Sequence, residues 1–447
     1  MLTPDSYYID RRILQEAETL TAQGHEVTIL AGWEAGLPLH EKIGSIQIER
    51  VTSSRFFWPD QIILSSQRQT IAFLNALSSG YQKLIGFFSW IAAKFFILLI
   101  LIGTRLITLI AIGVNNLAAL SLRLCQRLQL LTALEHEMLQ RAITYRPDVI
   151  HIHDLPQLRV GVKAKKQLQI PLVYDAHELY AEIGALSAAA KQDLTYLEKQ
   201  SIPHCYTVIT VNPFIAAEMA QRYQIPQPMV ILNAIALPNG FNPALTAKTA
   251  FDGTTPFPPT TKFCFTRVGY HWIGVCPTVQ AMAQVPVSIH LILMGYGEEA
   301  RHALEKIANE TGSAWVHFKE AVSQNELLFW TVSADASIIP YQPIDLNNYY
   351  CSPNKLFEFI QAELPIIAND LPFLRQVVHE EGFGLTSPLT DASSYAQAIR
   401  VMFDPALGGP VRFKPNLSAK KSKYDWQVEA AKLLDLYAKL EVDKRRV

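Results

Sequence analysis

The segment Cys351-Ser352-Pro353-Asn354-Lys355-Leu356-Phe357-Glu358-Phe359-Ile360-Gln361-Ala362-Glu363-Leu364-Pro365-Ile366-Ile367-Ala368-Asn369-Asp370 reads as a helix start, a buried helical face and a hydrophobic strand. Ser352 suits the N-cap and Pro353 the first helical position, where a missing N–H costs nothing. Leu356, Phe357 and Ile360 fall on one face, and Pro365–Ala368 is a short strand. A helix start carries unpaired N–H groups and the positive end of a dipole, so it attracts an anion. Lys355 stands where a capping box would place Glu, so the mouth stays open and gains a cation. Glu358, one turn on, reaches a ligand lying across that mouth.

Outward from this segment, strands alternate with helices, the pattern of parallel α/β sheets. In the first half a helix near 8–23 leads to the strand Val27–Leu30. Further strands are Ile46–Val51, Asp148–His153, Leu172–His177, Thr207–Asn212 and Val230–Asn233. Residues 239–259, rich in Pro, Gly and Thr, read as a linker. The pattern then restarts with Phe263–Val268, Ile289–Gly295, Ala314–Phe318, Ala336–Tyr341 and Pro365–Asn369. A last helix spans about 425–440.

A chain of 447 residues is too long for one core, so two or three domains are expected. Hydrophobic residues make up 49% and charged residues 18%, and the mean hydropathy is +0.12. A net charge of −1 provides no global field for nucleic acid. Five cysteines (Cys125, Cys205, Cys264, Cys276, Cys351) have no metal spacing and an odd count, which fits a reduced, cytosolic compartment. The first residues, Met1-Leu-Thr-Pro-Asp-Ser-Tyr-Tyr8, lack the basic and apolar regions of a signal.

Residues 351–370 resemble the donor-site signature of family 4 glycosyltransferases, retaining enzymes of the GT-B fold. A large subgroup carries S-P-N-K-L-F-E-Y, a small-residue turn and P-V-I-A-S-D. His151-Ile-His153-Asp154 resembles the family's H-x-H-D loop, and Asp175-Ala-His177-Glu178-Leu its D-A-H-E-L segment. Pro4-Asp5-Ser6 through Asp10-Arg11-Arg12-Ile-Leu14 is similar to P-D-S-x-x-x-D-R-R-x-L, which in the family follows a first strand. Almost nothing precedes it here, so either the start is truncated or the sheet lacks a strand.

The resemblance implies two Rossmann-like parallel-sheet domains facing a cleft. The first, about 1–240, is acceptor-side and carries an apolar helical insert at about 82–128. The second, about 260–418, binds the nucleotide sugar, and residues 419–447 form a helix returning toward the first domain. It implies catalytic roles for His153, Lys355 and Glu358; His151, on the same strand face but further from the strand end, reads as a satisfied structural histidine. Arg267, Gly269, Tyr341, Ser352, Pro353, Asn354 and Leu356 become donor-binding residues, and Asp154, His177 and Glu178 acceptor-side ones. Glu358 matches the second Glu of the family's E-x7-E motif, which binds ribose; the first falls at Tyr350. Three histidines and two carboxylates could suggest a metal, but their spacing is not a compact ligand motif and GT-B enzymes usually need no bound cation. No metal and no cofactor is expected beyond the nucleotide-diphosphate sugar.

Two positions depart from the family. Ile273 stands where a phosphate-binding Arg or Lys is usual, with Arg267 or His271 as substitutes. Glu363 replaces the Gly that usually ends the helix, a cost of roughly 1–2 kcal/mol in the left-handed conformation.

Residues 84–114 are almost wholly apolar, and Lys83, Lys94 and Arg105 recur every three turns on one face. The readings are a membrane-surface helix or helical hairpin on anionic lipid, a two-span hairpin, and a core or oligomer contact. The expectation is a glycosyltransferase at the cytoplasmic membrane face, acting with retention on a lipid-linked or cell-envelope glycan. The alternative is a degenerate, non-catalytic homologue serving as a binding or scaffold subunit.

Overall fold

The computed structural model describes residues 1–6, 8–53, 128, 130–184, 186–238, 240–243, 260–268, 274–295, 298–313 and 315–444. The apolar run 84–114 lies outside these residues, as do Gly269, His271 and Ile273. Among the described residues no helix is long and apolar enough to cross a membrane. The chain divides into two compact units. Met1–Ile9, Val27–Tyr174 and Ser187–Tyr206 form the first, and Asp10–Glu26, Asp175–Leu186 and Thr207–Val447 the second.

In the first unit β1 (Thr28–Gly32) pairs in parallel with β3 (Ile46–Val51), and β2 (His40–Ile43) pairs antiparallel with β3. β4 (Ile150–His153) neighbours β5 (Leu172–Ala176), and in the second unit β6 (Thr207–Thr210) pairs in parallel with β7 (Met229–Val230). The described residues before Asp10 form no strand, but one residue stands where a strand would. Leu2 bridges in parallel to Leu30 on one side and Ile152 on the other. Its N–H donates to His151 O at 2.9 Å and its carbonyl accepts from His153 N at 2.9 Å. Ile29, Ile48, Ile152, Leu158 and Val173 are buried in the first unit.

The second unit holds a six-stranded parallel sheet of β8 (Lys262–Val268), β9 (Ile289–Gly295), β10 (Val316–Glu320), β11 (Ala336–Ile339), β12 (Ile366–Asn369) and β13 (Gly384–Ser387). Its order is β10-β9-β8-β11-β12-β13, so chain order reverses between β8 and β11. Both faces are buried, which is why the strands read as continuous apolar runs. Cys264, Leu291, Leu293, Ile338 and Ile367 enter one core; Phe265, Ile292, Met294, Ile339 and Ile366 enter the other. The second core also takes Leu356, Phe357 and Ile360 from the amphipathic helix Asn354–Gln361.

This helix corrects one expectation. Its N-cap is Pro353, extended at φ −71° and ψ 136°, and no side chain caps it. Ser352 is not the cap, because its hydroxyl turns to Val211 O, 3.4 Å away. At the other end Glu363 is left-handed, φ 51°. Glu363 N–H donates to Ile360 O and Leu364 N–H to Phe359 O, closing a Schellman turn around a residue that is usually Gly. Lys421 Nζ sits 2.7 Å from the Glu363 carboxylate and offsets part of the strain.

Candidate donor site

In doubly wound sheets ligands bind at the carboxyl ends of the strands where their order reverses. Here that point lies between β8 and β11. Arg267 is the penultimate residue of β8, and Tyr341 follows β11 by two residues. The uncapped start of Asn354–Gln361 supplies Lys355 and Glu358 beside them. Lys355 Nζ donates to Arg267 O at 2.8 Å and lies 5.5 Å from the Tyr341 ring centroid.

Glu358 is buried and ionised. Arg267 Nη1 donates to both its oxygens, at 2.8 and 2.6 Å, and Arg11 Nη1 donates to Oε1 at 2.8 Å. Burial alone would raise its pKa, but Arg267 and then Arg11 hold it below the ordinary carboxylate range. Lys355 has the opposite balance. Burial and then Arg267 push it down to about 8, against the weaker pull of Glu358. The neighbouring Cys351 thiol and Tyr341 hydroxyl are raised by burial and stay neutral.

The consequence is a pH dependence. As pH rises through about 8, Lys355 loses its proton and the site loses a cation. Diphosphate affinity should therefore fall above that pH, by about tenfold at pH 9.5, one charge-assisted bond being lost. Titrations at pH 7 and 9.5 check this, and Lys355→Met should remove the dependence.

Of the expected acceptor-side residues, two belong to this unit. His177 Nε2 lies 3.4 Å from Asp175 Oδ2, and the Glu178 carboxylate accepts from Asn347 Nδ2 at 2.8 Å. Asn347 Oδ1 also accepts from Leu179 N, and Asp345 from Gly184 N. Asn347 and Asp345 were not anticipated; their signal is the polar run Asp345-Leu-Asn-Asn348 after β11. Arg12 lies within the Asp10–Leu14 motif. It forks onto Asp175, Nε to Oδ2 at 2.9 Å and Nη2 to Oδ1 at 3.0 Å, and Nη1 donates to Ile231 O. Trp426 Nε1 donates to Thr19 Oγ1, joining the last helix (Trp426–Lys444) to the first (Arg11–Ala22).

His153 and Asp154 lie in the first unit. His153 ends β4 fully buried, its ring stacked on His151 at 4.6 Å. Asp154 follows at φ 63° and ψ 159°, a region that favours Gly. Such a residue costs about 1–3 kcal/mol, and Gly there adds roughly 0.5–1 kcal/mol of unfolded-state entropy. Asp154→Gly should thus raise stability by about 1 kcal/mol in urea unfolding. A loss of stability would show that the Asp154 side chain outweighs its backbone strain.

Comparison with known proteins fits this geometry. Residues 109–238 match the family described as Glycosyltransferase Family 4, and residues 260–404 the family described as Glycosyl transferases group 1. The chain is similar to a sucrose-phosphate synthase from Thermosynechococcus elongatus, with TM-score 0.66 and 17% identity over 99% of this chain and 98% of that one. It is also similar to HepE of Anabaena, solved in complex with UDP-glucose: TM-score 0.55, 16% identity, 69% of this chain and 82% of that one. A phosphatidyl-myo-inositol mannosyltransferase of Mycolicibacterium smegmatis is 20% identical over 302 residues, 65% of this chain and 70% of the relative. The fold is thus that of a GT-B glycosyltransferase, with parallel sheets in two Rossmann-like domains. The two matches together make it a glycosyltransferase, its first half similar to family 4 and its second half to group 1.

Proposed function

We propose that the protein takes a nucleotide-diphosphate sugar as donor and passes the sugar, with retention, to a lipid-linked or cell-envelope glycan. The observation that carries this reading is the placement of Arg267, Lys355 and Glu358 where the strand order reverses. HepE, similar in fold, holds UDP-glucose. In this reading the bond from the anomeric carbon to the diphosphate oxygen breaks, and a bond to the acceptor oxygen forms on the same face. The acceptor's proton leaves on the diphosphate. Lys355, Arg267 and the helix dipole stabilise the charge that develops on the leaving group. Glu358 holds the ribose hydroxyls, and His153 positions the sugar. His177 and Glu178 serve the acceptor side, with Asp154. Incubation with a panel of sugar nucleotides and NMR of the product anomer tests this. A product with the donor's configuration supports it; inversion or no turnover with any donor contradicts it.

The same reading places the protein on the cytoplasmic face of an anionic membrane through residues 84–114. Replacing Lys94 and Arg105 by Glu should lower binding to phosphatidylserine-containing vesicles by roughly 30-fold or more at low salt, since each basic residue near the surface contributes about 1 kcal/mol. Retention on vesicles through high salt and carbonate, unchanged by these reversals, would favour the two-span hairpin.

A further inference from the structure

We propose that Arg11, the first residue of the helix Arg11–Ala22, is a diphosphate-binding residue of this site. The inference rests on the donor reading above and concerns a residue to which the sequence resemblance gave no role. Arg11 is far from Glu358 in sequence, yet its Nη1 lies 2.8 Å from Glu358 Oε1. The same oxygen accepts from Arg267 Nη1 at 2.8 Å. Two guanidinium groups therefore converge on one carboxylate, and Lys355 is tied to the Arg267 carbonyl.

The charges in this cluster do not cancel. Arg11, Arg267 and Lys355 bring three cations and Glu358 brings one anion. The excess matches the two negative charges of a sugar-nucleotide diphosphate. The arginines also keep access to a ligand: their side chains are 17% and 33% exposed, against 2% for Glu358. Each guanidinium has five N–H donors, and the contact of Arg11 with Glu358 uses one. The remaining fork suits phosphate oxygens, which a planar guanidinium binds in pairs. Arg11 thereby provides a second guanidinium in a chain that has Ile273 where the usual phosphate-binding cation stands. Glu358 holds Arg11 and Arg267 together, so one carboxylate sets the spacing of two phosphate ligands.

The test is calorimetry on the full-length protein with UDP, GDP and ADP, each beside its monophosphate and nucleoside. Arg11→Gln should weaken the best-bound diphosphate at least tenfold and its nucleoside less than twofold, with Arg11→Lys between. Unchanged diphosphate affinity in Arg11→Gln would overturn the proposal. Equal weakening of diphosphate and nucleoside would also overturn it, since Arg11 would then act only by holding Glu358. If the parent binds none of these probes, the donor reading itself fails and the proposal with it. Thermal midpoints of both variants separate lost contacts from lost fold, and Arg11→Lys, which keeps the charge, carries the test if Arg11→Gln unfolds.

Discussion

Glu358→Gln is expected to lower sugar transfer by at least about 100-fold, the scale for removing a preorganised charged contact from a reacting centre. The substitution keeps shape and removes charge. Arg267 and Arg11 then share a neutral amide, and half of its polar atoms are donors facing donors. The ribose loses its acceptor and the two guanidinium groups lose their common anchor. Stability should fall as well, by about 2 kcal/mol, less than the roughly 3–5 kcal/mol for breaking a fully buried ion pair, because both arginines keep some contact with water. Initial rates with the preferred donor and urea unfolding together check this. Turnover within threefold of the parent would remove Glu358 from the chemistry.

The largest loss of stability is expected at Arg12. Its side chain and that of Asp175 are 3% and 0% exposed, and Glu16 lies 3.1 Å from Arg12 Nε. Burial works against the Arg12 charge, but Asp175 and then Glu16 outweigh it and raise its pKa. Burial, and then Asp175, push Glu16 well above the ordinary carboxylate range. Arg12→Ala would leave Asp175 buried without its fork and strip Ile231 O of a donor. Removing one partner of such a pair costs about 3–5 kcal/mol. A shift of the urea midpoint worth less than about 1 kcal/mol would mean that Glu16 and Asp175 share a proton and tolerate the loss.

The second sheet was legible because burial on both faces turns its strands into short apolar runs; Ile289–Gly295 begins and ends where its residues suggest. β2 and β13 were not legible. His40–Ile43 is a polar, partly exposed strand, and Gly384–Ser387 opens on a glycine. The helix Asn354–Gln361 was legible from Pro353, Lys355 and Glu358, but its cap was not. Propensity favoured Ser352, and a tertiary contact to Val211 O drew its hydroxyl away. Arg11, Arg12 and Asn347 could be seen only as motif letters or loop residues. Their partners lie far along the chain, and no local spacing encodes such a pairing.

Titration of the intact protein with UDP-, GDP- and ADP-sugars by calorimetry tests the central claim most directly. The site at Arg267, Lys355 and Glu358 predicts that one nucleotide class binds with one-to-one stoichiometry. Its heat should disappear in Glu358→Gln and shrink in Lys355→Met. Binding that survives both substitutions unchanged, or no binding by any sugar nucleotide, would contradict the assignment of this strand-order reversal as the donor site.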